Sequence, residues 1–96
     1  MSPLDTVNIE TFRDRLSETF RVTGSGQSLE LTLMEVQDLG DGYSRRAFSL
    51  LFAGPPAPVM PQAIYRVENA VAGTLEFFLV PLGPENGVFR YEAAFN

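Results

Sequence analysis

Thr74-Leu75-Glu76-Phe77-Phe78-Leu79-Val80 is the stretch on which the fold turns, because its apolar side chains occupy both faces of one extended segment. Successive residues of a strand point to opposite faces, so Leu75, Phe77 and Leu79 share one side while Phe78 and Val80 share the other. An edge strand with two apolar faces invites aggregation. The segment, about residues 74–81, is therefore expected to sit centrally, packed on a helix behind it or on another subunit. Downstream, Leu82-Gly83-Pro84-Glu85-Asn86-Gly87 reads as a hairpin loop in which Asn86-Gly87 supplies the positive-φ positions. A last strand, 88–95, alternates Phe89, Tyr91, Ala93 and Phe95 against Arg90, Glu92 and Ala94.

Upstream of the decisive stretch, Ile64 to Val67 predicts a strand over 63–68. It is preceded by Gly54-Pro55-Pro56-Ala57-Pro58-Val59-Met60-Pro61, which holds four of the seven prolines. Prolines lack the ladder donor, so this run is expected to be an extended loop or a crossover along the outside. Before it, Phe48, Leu50 and Phe52 alternate with Ala47, Ser49 and Leu51, predicting a strand over 43–53 that follows a turn at Leu39-Gly40-Asp41-Gly42. Leu29, Leu31 and Leu33 alternate with Glu30 and Thr32, predicting a strand over 28–37. The alternation slips at Leu33–Met34, and a bulge there would restore it and bend the strand. Phe20 and Val22 give a first strand over 19–23, ending at the Gly24-Ser25-Gly26 turn.

Ahead of the strands, Ile9, Phe12 and Leu16 recur at i, i+3 and i+7. That spacing predicts one helix over 8–17, capped by Thr6 or Asn8 and docked on the sheet as a lid. The expected fold is mainly β: a small six-stranded antiparallel barrel or two-sheet sandwich with one short N-terminal helix. With 96 residues the chain is read as a single domain.

Composition bounds the chemistry. Histidine, cysteine, lysine and tryptophan are absent, and all seven positive side chains are arginine. That removes the imidazole acid–base group, the thiolate nucleophile, the amine that forms Schiff bases and a Cys/His zinc site. No cofactor is expected. The net charge of −5 opposes the counterion release that drives nucleic-acid binding and repels anionic lipid headgroups. The N-terminus shows neither a basic n-region nor an apolar h-region, so the expected compartment is the cytoplasm; a component of a particle that later leaves the cell would carry the same signature.

Candidate sites weigh lightly against ordinary structural roles. Asp38-Leu39-Gly40-Asp41-Gly42 places two carboxylates beside glycines, but the twelfth position of a calcium loop starting at Asp38 is Ser49, not glutamate. Glu30, Glu76 and Glu92 fall on the faces away from the apolar sets, and Glu35 sits at the parity slip, so no pair of carboxylates is singled out for catalysis. The serines have no histidine or lysine base. Tyr43, Tyr65 and Tyr91 with Arg45, Arg66 and Arg90 could form a stacking or carbohydrate-binding surface at a barrel mouth, although a ring in the core with its hydroxyl at the rim is the commoner fate of such tyrosines.

Four ordered motifs carry a resemblance: Ala47-Phe48-Ser49-Leu50-Leu51-Phe52-Ala53-Gly54-Pro55, Pro61-Gln62-Ala63-Ile64-Tyr65, Phe78-Leu79-Val80-Pro81-Leu82-Gly83 and Tyr91-Glu92-Ala93-Ala94-Phe95-Asn96. Together they resemble a family of small uncharacterised bacterial proteins of about this length, classed as a domain of unknown function. That family commonly has a glycine between helix and first strand, where this chain has Ser17-Glu18. The resemblance implies an association with phage-tail-like collar or fibre proteins and supplies no catalytic residue. The expected function is that of a non-enzymatic structural or interaction protein, an assembly component that self-associates or docks on a protein partner. The surface expected to do so is Phe77, Phe78 and Val80, with Pro55, Pro56 and Met60 of the proline-rich loop as a second contact. The alternative is a small-ligand or carbohydrate module using the tyrosines and arginines named above.

Overall fold

A computed structural model of the chain describes residues 9–24, 26–41 and 46–95, with Asp41 and Arg46 described by their backbone alone. The elements are α1 (Ile9–Arg13), β1 (Thr19–Gly24), β2 (Gln27–Asp41), β3 (Arg46–Gly54), β4 (Ala63–Asn69), β5 (Gly73–Glu85) and β6 (Val88–Phe95). Every strand pairing is antiparallel, and the six strands close into a ring in the order β1-β2-β3-β6-β5-β4. The ring is built from two consecutive meanders, β1-β2-β3 and β4-β5-β6, each with a long middle strand. The pairs β1–β4 and β3–β6 join them.

The long strands bend at bulges. Leu33 faces Phe52 and Glu35 faces Leu51, so Met34 has no counterpart on β3, at the place where the alternation slips. Met34 and Glu35 turn outward and Val36 returns against the core. A second shift between Asp38 and Gly40 carries β2 on to Asp41, where the sequence had suggested a turn. The turn chemistry is present but embedded in the strand: the Asp38 carboxylate accepts the Gly40 N–H at 2.9 Å, and Gly40 has φ +88°. In β5 the shift lies between Pro81 and Gly83, and Leu82 turns out. Asn86 and Gly87, at φ 51° and 84°, close the two-residue hairpin between Glu85 and Val88 as a type I′ turn.

The interior is filled by side chains. Phe20, Leu31, Leu33, Phe48, Leu50 and Phe52 are fully enclosed, with Leu75, Phe77 and Leu79 from β5 beside them. Phe12 of α1 seals one end of the ring. Its ring centroid lies 5.7 Å from those of Phe48 and Phe95 and 6.4 Å from those of Phe20 and Phe77, while Phe48 and Phe95 stack on each other at 4.7 Å. The other end is closed by the proline-rich loop, from which Met60 inserts completely.

The helix is shorter than its periodicity suggested. Asp14 N–H reaches the Glu10 carbonyl at i−4, but Arg15, Leu16 and Glu18 bond to carbonyls three residues back. The Arg15–Glu18 turn has Ser17 at φ +69° in its third position, which makes it type II. Leu16 is therefore 45% exposed instead of serving as a third anchor. The backbone of α1 lies against β2 and β3, and the helix meets the Thr74–Val80 segment through the Phe12–Phe77 ring contact on its inner face. Just beyond the turn, Ser17 N–H bonds to the Leu33 carbonyl and Leu33 N–H to the Glu18 carbonyl, at 2.8 and 3.1 Å. Two residues thus oppose one, with the first in the left-handed region, which is the geometry of a G1 bulge.

Candidate interaction surface

The register of β4 and β5 decides which apolar residues reach the surface. Ala63 faces Leu79 and Tyr65 faces Phe77, with these side chains directed into the ring, so the intervening pair Ile64–Phe78 points out. Ile64 is 67% exposed and Phe78 46%. Val80, two residues on, is half-buried on the same outer face. Continuing around the ring, Val80 faces Glu92 and Glu92 faces Leu51, which is also half-buried. The next outward pair along β4 and β5 is Arg66 and Glu76. An apolar cross-strand pair is thus bordered by one cation and one anion.

Two members of the surface expected from sequence lie inside. Phe77 is directed into the ring, with its centroid 5.4 Å from Phe95 and 6.2 Å from Phe52, and Met60 has no accessible surface. Phe78, Val80, Pro55 and Pro56 remain on the outside, Val80 only partly. Ile64 was not singled out from the sequence, although its parity opposite to Tyr65 and Val67 carried the signal.

The tyrosine and arginine set does not converge. Tyr65 and Tyr91 are 1% exposed, with rings in the core and hydroxyls spent on the loop that closes the barrel. Tyr91 Oη accepts the Met60 N–H at 3.1 Å, and the Tyr65 hydroxyl donates to the Pro61 carbonyl. Gly24 makes room for the Tyr65 ring, since a Cβ there would lie 2.5 Å from its Cδ1. Arg66 lies outside with its Nε 4.0 Å from Glu68, and Arg90 reaches Glu85 at 3.4 Å. Tyr43 and Arg45 lie outside the described residues, as does the start of the strand expected from residue 43.

Besides a hollow of about 230 Å³ at Arg66, Thr74, Leu75 and Glu76, two surface depressions among the described residues bear on the strand edges. One, of about 300 Å³, is lined by Thr19, Arg21, Glu30, Glu68, Asn69 and Ala70. Its polar groups are largely spent on the fold. The Asn69 amide donates to Glu18 and the Thr19 carbonyl and accepts from Val71 and Ala72, and Arg21 lies 3.6 Å from Glu30. The other, of about 420 Å³, runs between β2 and the β5–β6 hairpin and is walled by Met34, Pro55 and Val88. Glu30, Glu35 and Glu76 are exposed on the outside, and among the described residues no group of three or more potential metal ligands stands together.

A family model for a domain of unknown function, DUF6916, matches residues 7–95. The chain belongs to that family. The match spans α1 and all six strands, so the whole ring is the family's unit. No curated protein and no solved structure matches the chain.

Proposed function

We propose that this DUF6916 protein is a non-enzymatic interaction or assembly protein that works through the outside of its ring. The supporting observation is the exposed Ile64–Phe78 pair beside Val80, set on a barrel whose interior is occupied by its own leucine and phenylalanine side chains. An interior filled by these side chains disfavours a small ligand there, and an apolar cross-strand pair on the outside is the kind of surface that burial stabilises. The flanking Arg66 and Glu76 make the patch self-complementary, because a two-fold axis can set each against its opposite in a second copy. Self-association through this face is the form of the proposal to test first, and a phage-tail-like or fibre assembly is the setting that the sequence resemblance suggested. Sedimentation equilibrium at high micromolar concentration tests it: the parent chain is expected to self-associate, and Phe78→Glu or Ile64→Glu to remain monomeric with unchanged melting. A parent chain that stays strictly monomeric and retains no partner would overturn the proposal.

A further inference from the structure

The second depression coincides with a stretch of β2 that has lost its neighbour. The β2–β3 register ends at Thr32↔Ala53. Two residues further, Glu30 would stand opposite Pro55, which has no N–H to offer and cannot continue the ladder. The direction of the β2 backbone groups follows from the G1 bulge. Leu33 exchanges its hydrogen bonds with Ser17 and Glu18, on the β1 side. In an antiparallel ladder such pairs alternate with pairs that point away from each other. Leu31, Leu29 and Gln27 therefore bond to β1, whereas Thr32, Glu30 and Ser28 turn their N–H and C=O groups to the opposite side. Thr32 spends them on Ala53. Among the described residues no strand pairs with Glu30 or Ser28 on that side.

We infer that this edge of β2 is a strand-addition site that takes an extended segment of a partner protein, with apolar side chains alternating with basic ones. The inference rests on the reading of the chain as an interaction protein, but not on the Ile64–Phe78 face. Evenly spaced free donors and acceptors along an extended backbone are matched by another extended backbone. Met34, Pro55 and Val88 wall the groove with apolar surface. Glu30 is its one ionisable lining residue among those described; its contact with Arg21 at 3.6 Å joins two exposed side chains and is weak, and the chain carries a net charge of −5, so a basic segment is favoured over an acidic one.

The test uses the full chain and three acetylated, amidated hexapeptides: alternating arginine and valine, the same peptide N-methylated at alternate residues, and alternating glutamate and valine. Backbone amide exchange of Ser28 and Glu30 is expected to be fast in the free protein and to slow at least about tenfold with saturating arginine–valine peptide. The N-methylated and acidic peptides are expected to bind roughly tenfold more weakly or worse, the size of one or two lost backbone hydrogen bonds. Glu30→Pro removes a donor that β1 does not use and should weaken binding by a similar factor. Val88→Lys, which leaves the backbone intact and repels the basic peptide, should do likewise without lowering the melting temperature. The inference is overturned by amides already protected in the dilute free protein, or by binding indifferent to N-methylation. Protection that rises with protein concentration alone also overturns it, in favour of a second copy. Loss of self-association in Phe78→Glu with peptide binding intact would separate this site from the Ile64–Phe78 face.

Discussion

Replacing Ser17 by glycine should stabilise the protein, and the expected size follows from the turn that ends α1. Ser17 has φ +69° at the third position of a type II turn and the first of a G1 bulge, two settings that each favour glycine. Holding a non-glycine residue in the left-handed region costs about 1–2 kcal/mol. Glycine relieves that strain but brings extra freedom to the unfolded chain, which returns about 0.5–1 kcal/mol. The Ser17 side chain is exposed, so little else is lost. The net gain should be about 0.5–1 kcal/mol, or a melting temperature roughly 3–6 °C higher for a domain of this size. Thermal melts followed by circular dichroism, with urea titrations to confirm an unchanged m-value, measure it. Ser17→Val is the control: a β-branched residue is strongly disfavoured at positive φ and should lower stability by more than about 1 kcal/mol. A glycine variant that melts at or below the parent with the same m-value would refute this account of the turn.

Phe12→Ala should cost about 3–5 kcal/mol, measured by urea unfolding, because it empties the space among four phenylalanine rings. Tyr91→Phe leaves the buried Met60 amide without its acceptor and should cost about 1–3 kcal/mol, with faster exchange of that amide as the specific sign. Deleting Ala93 to Asn96 removes Phe95 from its stack on Phe48 together with the end of the β3–β6 ladder, and soluble folding should be lost; a truncated chain melting cooperatively within about 5 °C of the parent would count against it.

Much of the ring was legible because alternation is a backbone property that tertiary context cannot shift. Phe48, Leu50 and Phe52 could only share a face, and the parity slip after Leu33 could only be resolved by an extra residue. What failed had local chemistry pointing one way and long-range contacts another. Leu16 satisfied the helical spacing, yet the pairing of Ser17 and Glu18 with Leu33 unwinds the helix before it. Leu39-Gly40-Asp41 has turn composition, and the Asp38–Gly40 bond is a turn bond, but β3 continues alongside and keeps the segment in the sheet. Met60 stands alone among prolines with no periodicity to place it; its burial depends on Tyr91, 31 residues away. Tyr65 and Tyr91 share parity with core residues, and the loop that claims their hydroxyls is irregular, so a mouth site and a structural clasp look alike in sequence.

Unequal strand lengths explain where this fold leaves backbone beyond the end of a neighbouring strand. In a ring where β2 and β5 are much longer than their neighbours, each long strand must run past the end of a shorter one. Where β1 begins beside β2, Ser17 and Glu18 extend the hydrogen bonding and α1 packs on the strand beyond. Where β4 begins beside β5, Met60 and Pro61 of the preceding loop are tied to Tyr91 and Tyr65. β3 also ends beside β2, where the chain leaves through Gly54-Pro55. Gly54 sits so close over Leu31 that a Cβ would lie 2.4 Å from Leu31 Cδ2. That close approach sets Gly54 against the core, while Pro55, exposed beside the groove, cannot rejoin the ladder. The same two residues that end β3 therefore complete the core on one side and leave free backbone on the other. Any side chain at position 54 would have to push Leu31 aside, so core packing fixes the glycine that ends β3 just where proline ends the ladder.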